Sequence, residues 1–117
     1  MVGYVTTHVL DTALGLPARG ITVELFKVNS DTSVLINSAI TNSDGRLDSP
    51  ILSKKNFVLG HYELLFHVKK YFETESLLTE NKIFFDIIPV RCCIKSATHY
   101  HIPLLLSPFG YSTYRGS

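Results

Sequence analysis

Two histidines and one arginine, far apart in the chain, carry side chains that could together activate water. His8 lies in an N-terminal run rich in β-branched residues, Arg46 follows the turn Asn-Ser-Asp-Gly, and His101 lies near the end of the chain. A cation beside an imidazole disfavours the charged ring and leaves a neutral base near pH 7. Arginine also binds anions and developing oxyanions through its fixed fork of donors. These residues predict hydrolysis by an activated water, provided that the fold brings them together.

Other chemistries have weaker support in the sequence. His99 and His101, two residues apart on a predicted strand, could share a metal ion. Neither the adjacent Cys92 and Cys93 nor any carboxylate at ligand spacing completes the three protein ligands that catalytic zinc uses. No Gly-x-Ser-x-Gly elbow is present, and the cysteine pair has no identifiable activating partner. We therefore expect no metal site, with water as the nucleophile.

Size and composition bound the kind of protein. A chain of 117 residues with 45% hydrophobic content predicts one domain over residues 1–117. A net charge of +1 without a basic run argues against nucleic acid as a partner. The N-terminal residues lack the features of a signal peptide, no stretch approaches a membrane span, and the two cysteines are adjacent. We expect no membrane association and a cytoplasmic location, with the peroxisome as the alternative.

Strand signals recur along the chain with turn residues between them, whereas helical periodicity is almost absent. The pattern predicts an all-β fold, an antiparallel β-sandwich of about seven or eight strands. Residues 46–52 are predicted as a short strand, 71–78 as the one short helix, and 83–94 as a long strand. Pro89 within that long strand indicates a bulge or an edge position.

Side-chain alternation assigns faces to the strands that carry the histidines. In the closing segment it directs Tyr100, Ile102 and Leu104 to the core, so that His101 faces outward. The same argument places His8 on the outward face of the first strand. The apolar members of that outward face are Leu10, Pro103 and Leu105. An outward face this apolar is typical of a sheet that packs against a second subunit.

Four segments of the chain carry a family resemblance. They are THVLDTALGLPARGITVEL at residues 7–25, TNSDGR at 41–46, GHYELLFHVKKYF at 60–72 and HYHIPLLLSPFGYSTYRGS at 99–117. Together they resemble the 5-hydroxyisourate hydrolase family, the transthyretin-related enzymes of urate breakdown in purine metabolism. The closing Tyr-Arg-Gly-Ser is the feature that separates these hydrolases from the hormone carrier transthyretin. The resemblance covers nearly the whole chain.

The resemblance implies a site, a reaction and an assembly. By position, the family's site residues are His8, Arg46, His101 and Tyr114. The family opens 5-hydroxyisourate at an amide-like bond to give 2-oxo-4-hydroxy-4-carboxy-5-ureidoimidazoline, without an organic cofactor. It also implies a transthyretin-like sandwich and a homotetramer, a dimer of dimers, with sites in a channel between subunits.

Our mechanistic hypothesis from the sequence assigns a role to each residue. His101, together with His8, positions and deprotonates water, while Arg46 and Tyr114 hold the anionic ring. Ser117 orients a histidine or the water through its hydroxyl or a terminal carboxylate. Which histidine is the base stays open at this stage.

Two other functions remain as alternatives. The first is a transthyretin-type carrier that binds a small aromatic ligand in the same channel without catalysis. That carrier lacks both histidines and the arginine at these positions, whereas this chain has all three. The second is a structural or metal-storing sandwich, which would require tight ion binding by His99 and His101.

Overall fold

The computed structural model describes residues 2–76 and 78–116. Within these residues the chain forms nine strands, one short α-helix (α1) and two 3-10 turns. The strands are β1 (Tyr4–Asp11), β2 (Leu16–Pro17), β3 (Thr22–Val28), β4 (Ser33–Ile40), β5 (Leu52–Ser53), β6 (Gly60–His67), β7 (Ile87–Ile94), β8 (His99–Ser107) and β9 (Gly110–Thr113). The remaining elements are α1 (Lys69–Thr74) and the 3-10 turns Lys54–Asn56 and Glu80–Lys82.

The strands form two sheets. The first, called sheet A, has the order β2-β1-β8-β9, with the two-residue β5 also pairing with β1. The second, sheet B, has the order β4-β3-β6-β7. Every described strand pair is antiparallel except β1 and β8, which run parallel over eight register positions at the centre of sheet A. The predicted β-sandwich with one short helix is confirmed.

The core lies between the inner faces of the two sheets, where alternate residues of each strand are buried. From sheet A, Val5, Val9, Ile102, Leu104 and Leu106 point inward, and from sheet B, Val23, Leu25, Leu64, Phe66 and Ile88 point inward. Burying one such side chain contributes about 1.5–3 kcal/mol relative to leaving it exposed. The interior assignment of Tyr100, Ile102 and Leu104 is confirmed, since all three are buried.

Three element boundaries differ from the predictions. The helix spans Lys69–Thr74 rather than 71–78. The long strand begins only at Ile87, after a 3-10 turn and an irregular segment, and Pro89 lies on β7 at the edge of sheet B. An edge position tolerates proline because its missing N–H faces away from the ladder.

Residues 46–52 do not form the predicted strand. Arg46 makes a single bridge to His8, and regular pairing begins only at Leu52. Pro50 lacks the N–H that a continuous strand would need. Within the part of the chain that the structure describes, no helix is long and apolar enough to cross a membrane.

Candidate active site

The outward face of sheet A carries the predicted histidines at its parallel strand pair. On β1, Thr6 and His8 alternate with the buried Val5, Thr7 and Val9. The parallel register places Thr6 directly beside His101 on β8. Two residues that are 95 positions apart in the chain therefore meet on one surface.

Arg46 reaches this surface from a tight turn held against β1. Gly45 has a φ of +74°, a left-handed conformation that side chains rarely adopt. Its carbonyl accepts the N–H of Val9 at 2.8 Å, and the side chain of Asn42 accepts the N–H of Arg46 at 3.2 Å. The next residue along, Arg46, then bridges to His8. The turn thus holds the backbone of Arg46 next to His8.

His8 has one ring nitrogen committed to the backbone. Its Nε2 lies 2.8 Å from the carbonyl oxygen of Asp44. A carbonyl can only accept, so Nε2 carries hydrogen and donates it. Burial and then the Arg46 cation lower the pKa of His8, against a smaller opposing effect of Asp44. The neutral ring is favoured, and its Nδ1 holds the lone pair.

His101 is held on two sides. Its Nδ1 lies 2.8 Å from the hydroxyl oxygen of Thr6. The backbone N–H of Gly116 donates to the His101 carbonyl at 2.7 Å, and a Cβ at Gly116 would come within 2.8 Å of the imidazole Cδ2. Burial lowers the pKa of His101 first, followed by Arg46, His99 and His8. Among the described hydrogen bonds none uses Nε2 of His101.

The structure therefore brings together three of the predicted site residues, His8, Arg46 and His101. Tyr114 lies elsewhere in the protomer: its side chain is 58% exposed and lines a groove with Tyr100. No hydrogen bond or ring contact of the described residues joins Tyr114 to either histidine. Ser117 lies outside the described residues.

Two further residues shape the site and were missed by sequence reasoning. Thr6 shares the outward face of β1 with His8, but its contact to β8 depends on long-range pairing that the sequence does not reveal. Gly116 belongs to the closing Tyr-Arg-Gly-Ser, but a glycine carries no chemistry to attract attention. Its role becomes visible only from how closely its backbone approaches the His101 ring.

The described residues contain no cluster of side chains suited to bind a metal ion. No group of three or more His, Cys, Asp or Glu side chains there is placed to hold one ion. His99 and His101, the pair considered for metal, both turn a ring nitrogen toward the Thr6 hydroxyl instead.

Fold and site together define a transthyretin-like β-sandwich that carries an imidazole pair flanked by a guanidinium on one sheet face. A model of the HIUase/Transthyretin family matches residues 5–116. The chain belongs to this family. A relative from Rhizobium meliloti, named 5-hydroxyisourate hydrolase 2, is 49% identical over 116 residues, covering 98% of this chain and 97% of the relative.

Solved structures give the same result. The 5-hydroxyisourate hydrolase of Klebsiella pneumoniae superposes with a TM-score of 0.81 at 30% identity, covering 98% of this chain and 99% of that one. The structure of an (S)-allantoin synthase matches with a TM-score of 0.90 at 41% identity over 99% of this chain. This chain spans only 44% of that protein.

Proposed function

We propose that this protein hydrolyses 5-hydroxyisourate to 2-oxo-4-hydroxy-4-carboxy-5-ureidoimidazoline. The observation that carries the proposal is the juxtaposition of His8, His101 and Arg46 on one outward sheet face. The names of the full-length relatives support the same substrate.

His101 is the general base in this proposal. Its Nδ1 faces Thr6, which leaves Nε2 to take a proton from water. The pKa of His101, lowered first by burial and then by Arg46, keeps the ring neutral over more of the physiological pH range. His8 is the alternative candidate for the base, because donation of its Nε2–H to the Asp44 carbonyl leaves the lone pair on Nδ1.

The remaining steps are the attack of water, the stabilisation of the developing negative charge and the opening of the ring. Water loses a proton to Nε2 of His101, and its oxygen forms a bond to the ring carbonyl carbon. Arg46 pairs with the anionic ring and the developing oxyanion. Collapse of the adduct breaks the carbon–nitrogen bond of the ring, and His101 returns the proton on its Nε2 to the departing nitrogen. His8 contributes to substrate positioning.

The site is completed in a homotetramer in this proposal. On the outward face of sheet A, Leu10 and Leu105 are half-buried, Pro103 is buried, and Leu16 on β2 is exposed. Packing two such faces together would form a channel and remove apolar surface from water. Tyr114, exposed in the protomer, reaches the substrate only in that assembly. Sedimentation should show a species four times the mass of the chain.

An assay on freshly generated 5-hydroxyisourate, with spontaneous decay subtracted, tests the activity. We expect His101→Ala to lower the catalysed rate by about 10²–10⁴-fold, the usual contribution of a general base. His61→Ala is the matched control, since His61 is an exposed histidine on the outer face of sheet B. Absence of acceleration by the wild-type protein would refute the proposal and favour the carrier alternative.

A further inference from the structure

A single threonine hydroxyl connects the two histidines of β8. The Oγ1 atom of Thr6 lies 2.6 Å from Nε2 of His99 and 2.8 Å from Nδ1 of His101. The parallel register makes this possible, because Thr6 on β1 stands directly beside His101 and points to the same face. The three groups form a continuous hydrogen-bonded chain on the outward surface of sheet A.

Counting hydrogens allows two directions for that chain, and only one of them suits a general base. A hydroxyl has one hydrogen to donate and can also accept. If Thr6 donates to Nε2 of His99, then Nδ1 of His101 must carry the hydrogen that Thr6 accepts. Nε2 of His101 is then the unprotonated nitrogen, as a general base requires. The opposite direction would put the hydrogen of His101 on Nε2 and leave no lone pair there.

His99 is placed to receive a proton. Its side chain is exposed, and its ring stacks on Tyr4 with 4.2 Å between the centroids and 10° between the planes. The stack holds the ring in the orientation that aims Nε2 at Thr6. Arg46 and His8 act on the charge of the His101 ring, and the Arg115 guanidinium donates to the His99 carbonyl.

We propose that Thr6 and His99 form a proton relay behind His101, an inference that rests on the proposed hydrolysis. When Nε2 of His101 takes a proton from water, the Nδ1–H bond of His101 breaks and its proton passes to Oγ1 of Thr6. The Thr6 O–H bond breaks in turn, and that proton passes to Nε2 of His99. The positive charge moves from His101 to His99, which holds the proton until the ring nitrogen departs.

The relay also changes what His101 can do next. After the transfer, His101 is neutral and carries hydrogen on Nε2. As that hydrogen passes to the departing ring nitrogen, Thr6 returns a proton to Nδ1 of His101 and takes one back from Nε2 of His99, which restores both rings to their starting tautomers. Charge therefore does not accumulate next to Arg46, where a cation is disfavoured. Thr6 and His99 are positioning and relay residues, because neither needs to touch the substrate.

A pair of Thr6 variants tests the hydroxyl. Thr6→Val keeps the shape of the side chain and removes the hydrogen bonds, whereas Thr6→Ser keeps the hydroxyl. We expect Thr6→Val to lower kcat by about 10- to 100-fold with little change in KM, the effect of losing a hydrogen bond to a charged group. Thr6→Ser should stay within about threefold of wild type. Equal rates for Thr6→Val and wild type would overturn the proposal.

A His99 variant separates a relay from simple positioning. The amide of His99→Gln can still hydrogen-bond Thr6, but it cannot carry a proton. We expect its kcat to fall by about tenfold or more. A wild-type rate in this variant would show that no proton passes beyond Thr6, which contradicts the relay.

A measurement without substrate keeps this test separate from that of the proposed function. At a pH where the His101 ring is neutral, nitrogen-15 spectra of the wild-type protein should show its hydrogen on Nδ1. Thr6→Val should shift that ring toward the Nε2–H tautomer. A wild-type His101 with its hydrogen on Nε2 would overturn the relay whatever the enzymatic rate. Lack of hydrolysis by a wild-type protein with the expected tautomer would count against the proposed function instead.

Discussion

Replacing Gly45 with alanine should loosen the turn that carries Arg46. A Cβ at this position would collide with the carbonyl oxygen of Val9 and come within 3.2 Å of the Ala18 nitrogen. The backbone at Gly45 is also left-handed, with a φ of +74°. Gly15 offers a matched control, because it has nearly the same φ, +71°, and nothing within 4 Å of the added methyl group.

The expected loss of stability can be worked out from these contacts. The left-handed conformation costs an alanine about 1–2 kcal/mol, offset by about 0.4–1 kcal/mol because alanine restricts the unfolded chain. Gly15→Ala should therefore destabilise by about 1 kcal/mol. At Gly45 the collision also displaces the Val9 carbonyl, which accepts the Ala18 N–H at 2.9 Å, and weakens the bond from the Val9 N–H. Two hydrogen bonds at about 1 kcal/mol each bring the loss for Gly45→Ala to about 3 kcal/mol.

Thermal unfolding at one protein concentration measures both variants. For a chain of this length, 1 kcal/mol corresponds to about 4 °C in Tm, so we expect losses of about 12 °C for Gly45→Ala and about 4 °C for Gly15→Ala. Only Gly45→Ala should also lower kcat/KM at temperatures where it is folded, since its turn sets the position of Arg46. Equal Tm losses in the two variants, or full activity of Gly45→Ala, would refute this reasoning.

Three further substitutions test other contacts of the fold. Arg46→Gln should raise the pKa of His101, because one of the nearby cations that lower it is removed; an NMR titration that does not move to higher pH would contradict this. Gly116→Ala should lower kcat about tenfold, because the added Cβ would displace the His101 ring. An unchanged kcat would mean that the backbone of the closing segment moves instead of the ring. Asp11→Asn should lose about 2 kcal/mol in urea unfolding, because the buried carboxylate accepts the Tyr71 hydroxyl at 2.6 Å. Wild-type stability of that variant would rule out a structural role for the carboxylate.

The parts of the structure that follow from local physics were predictable from the sequence. Alternation separated the buried Tyr100 and Ile102 from the outward His101, because neighbouring residues of a strand must point to opposite faces. The turn before Arg46 was also evident from its glycine, which has the positive φ that the turn requires. The family, inferred from four segments, is confirmed by the family match.

Long-range pairing was not predictable in the same way. Nothing local indicates that β1 lies beside β8, or that the two run parallel, so the Thr6 hydroxyl received no role. The prediction of a strand over residues 46–52 was wrong, because pairing with β1 is limited to one bridge at Arg46 and a short ladder from Leu52. Tyr114 was assigned to the site by family pattern alone, and in the protomer its side chain is exposed.

The parallel pairing of β1 with β8 has a consequence for how activity returns after unfolding. Hairpins such as β3–β4 close between neighbours in the chain, whereas β1 and β8 must find each other across a loop of most of the molecule. Closing so long a loop is slow relative to forming a hairpin. His8 and Arg46 on one side and His101 on the other stay apart until that step is complete. We therefore expect the recovery of turnover during refolding to lag behind the recovery of the circular dichroism signal of the hairpins. The enzyme assay would then report the rate at which β1 pairs with β8.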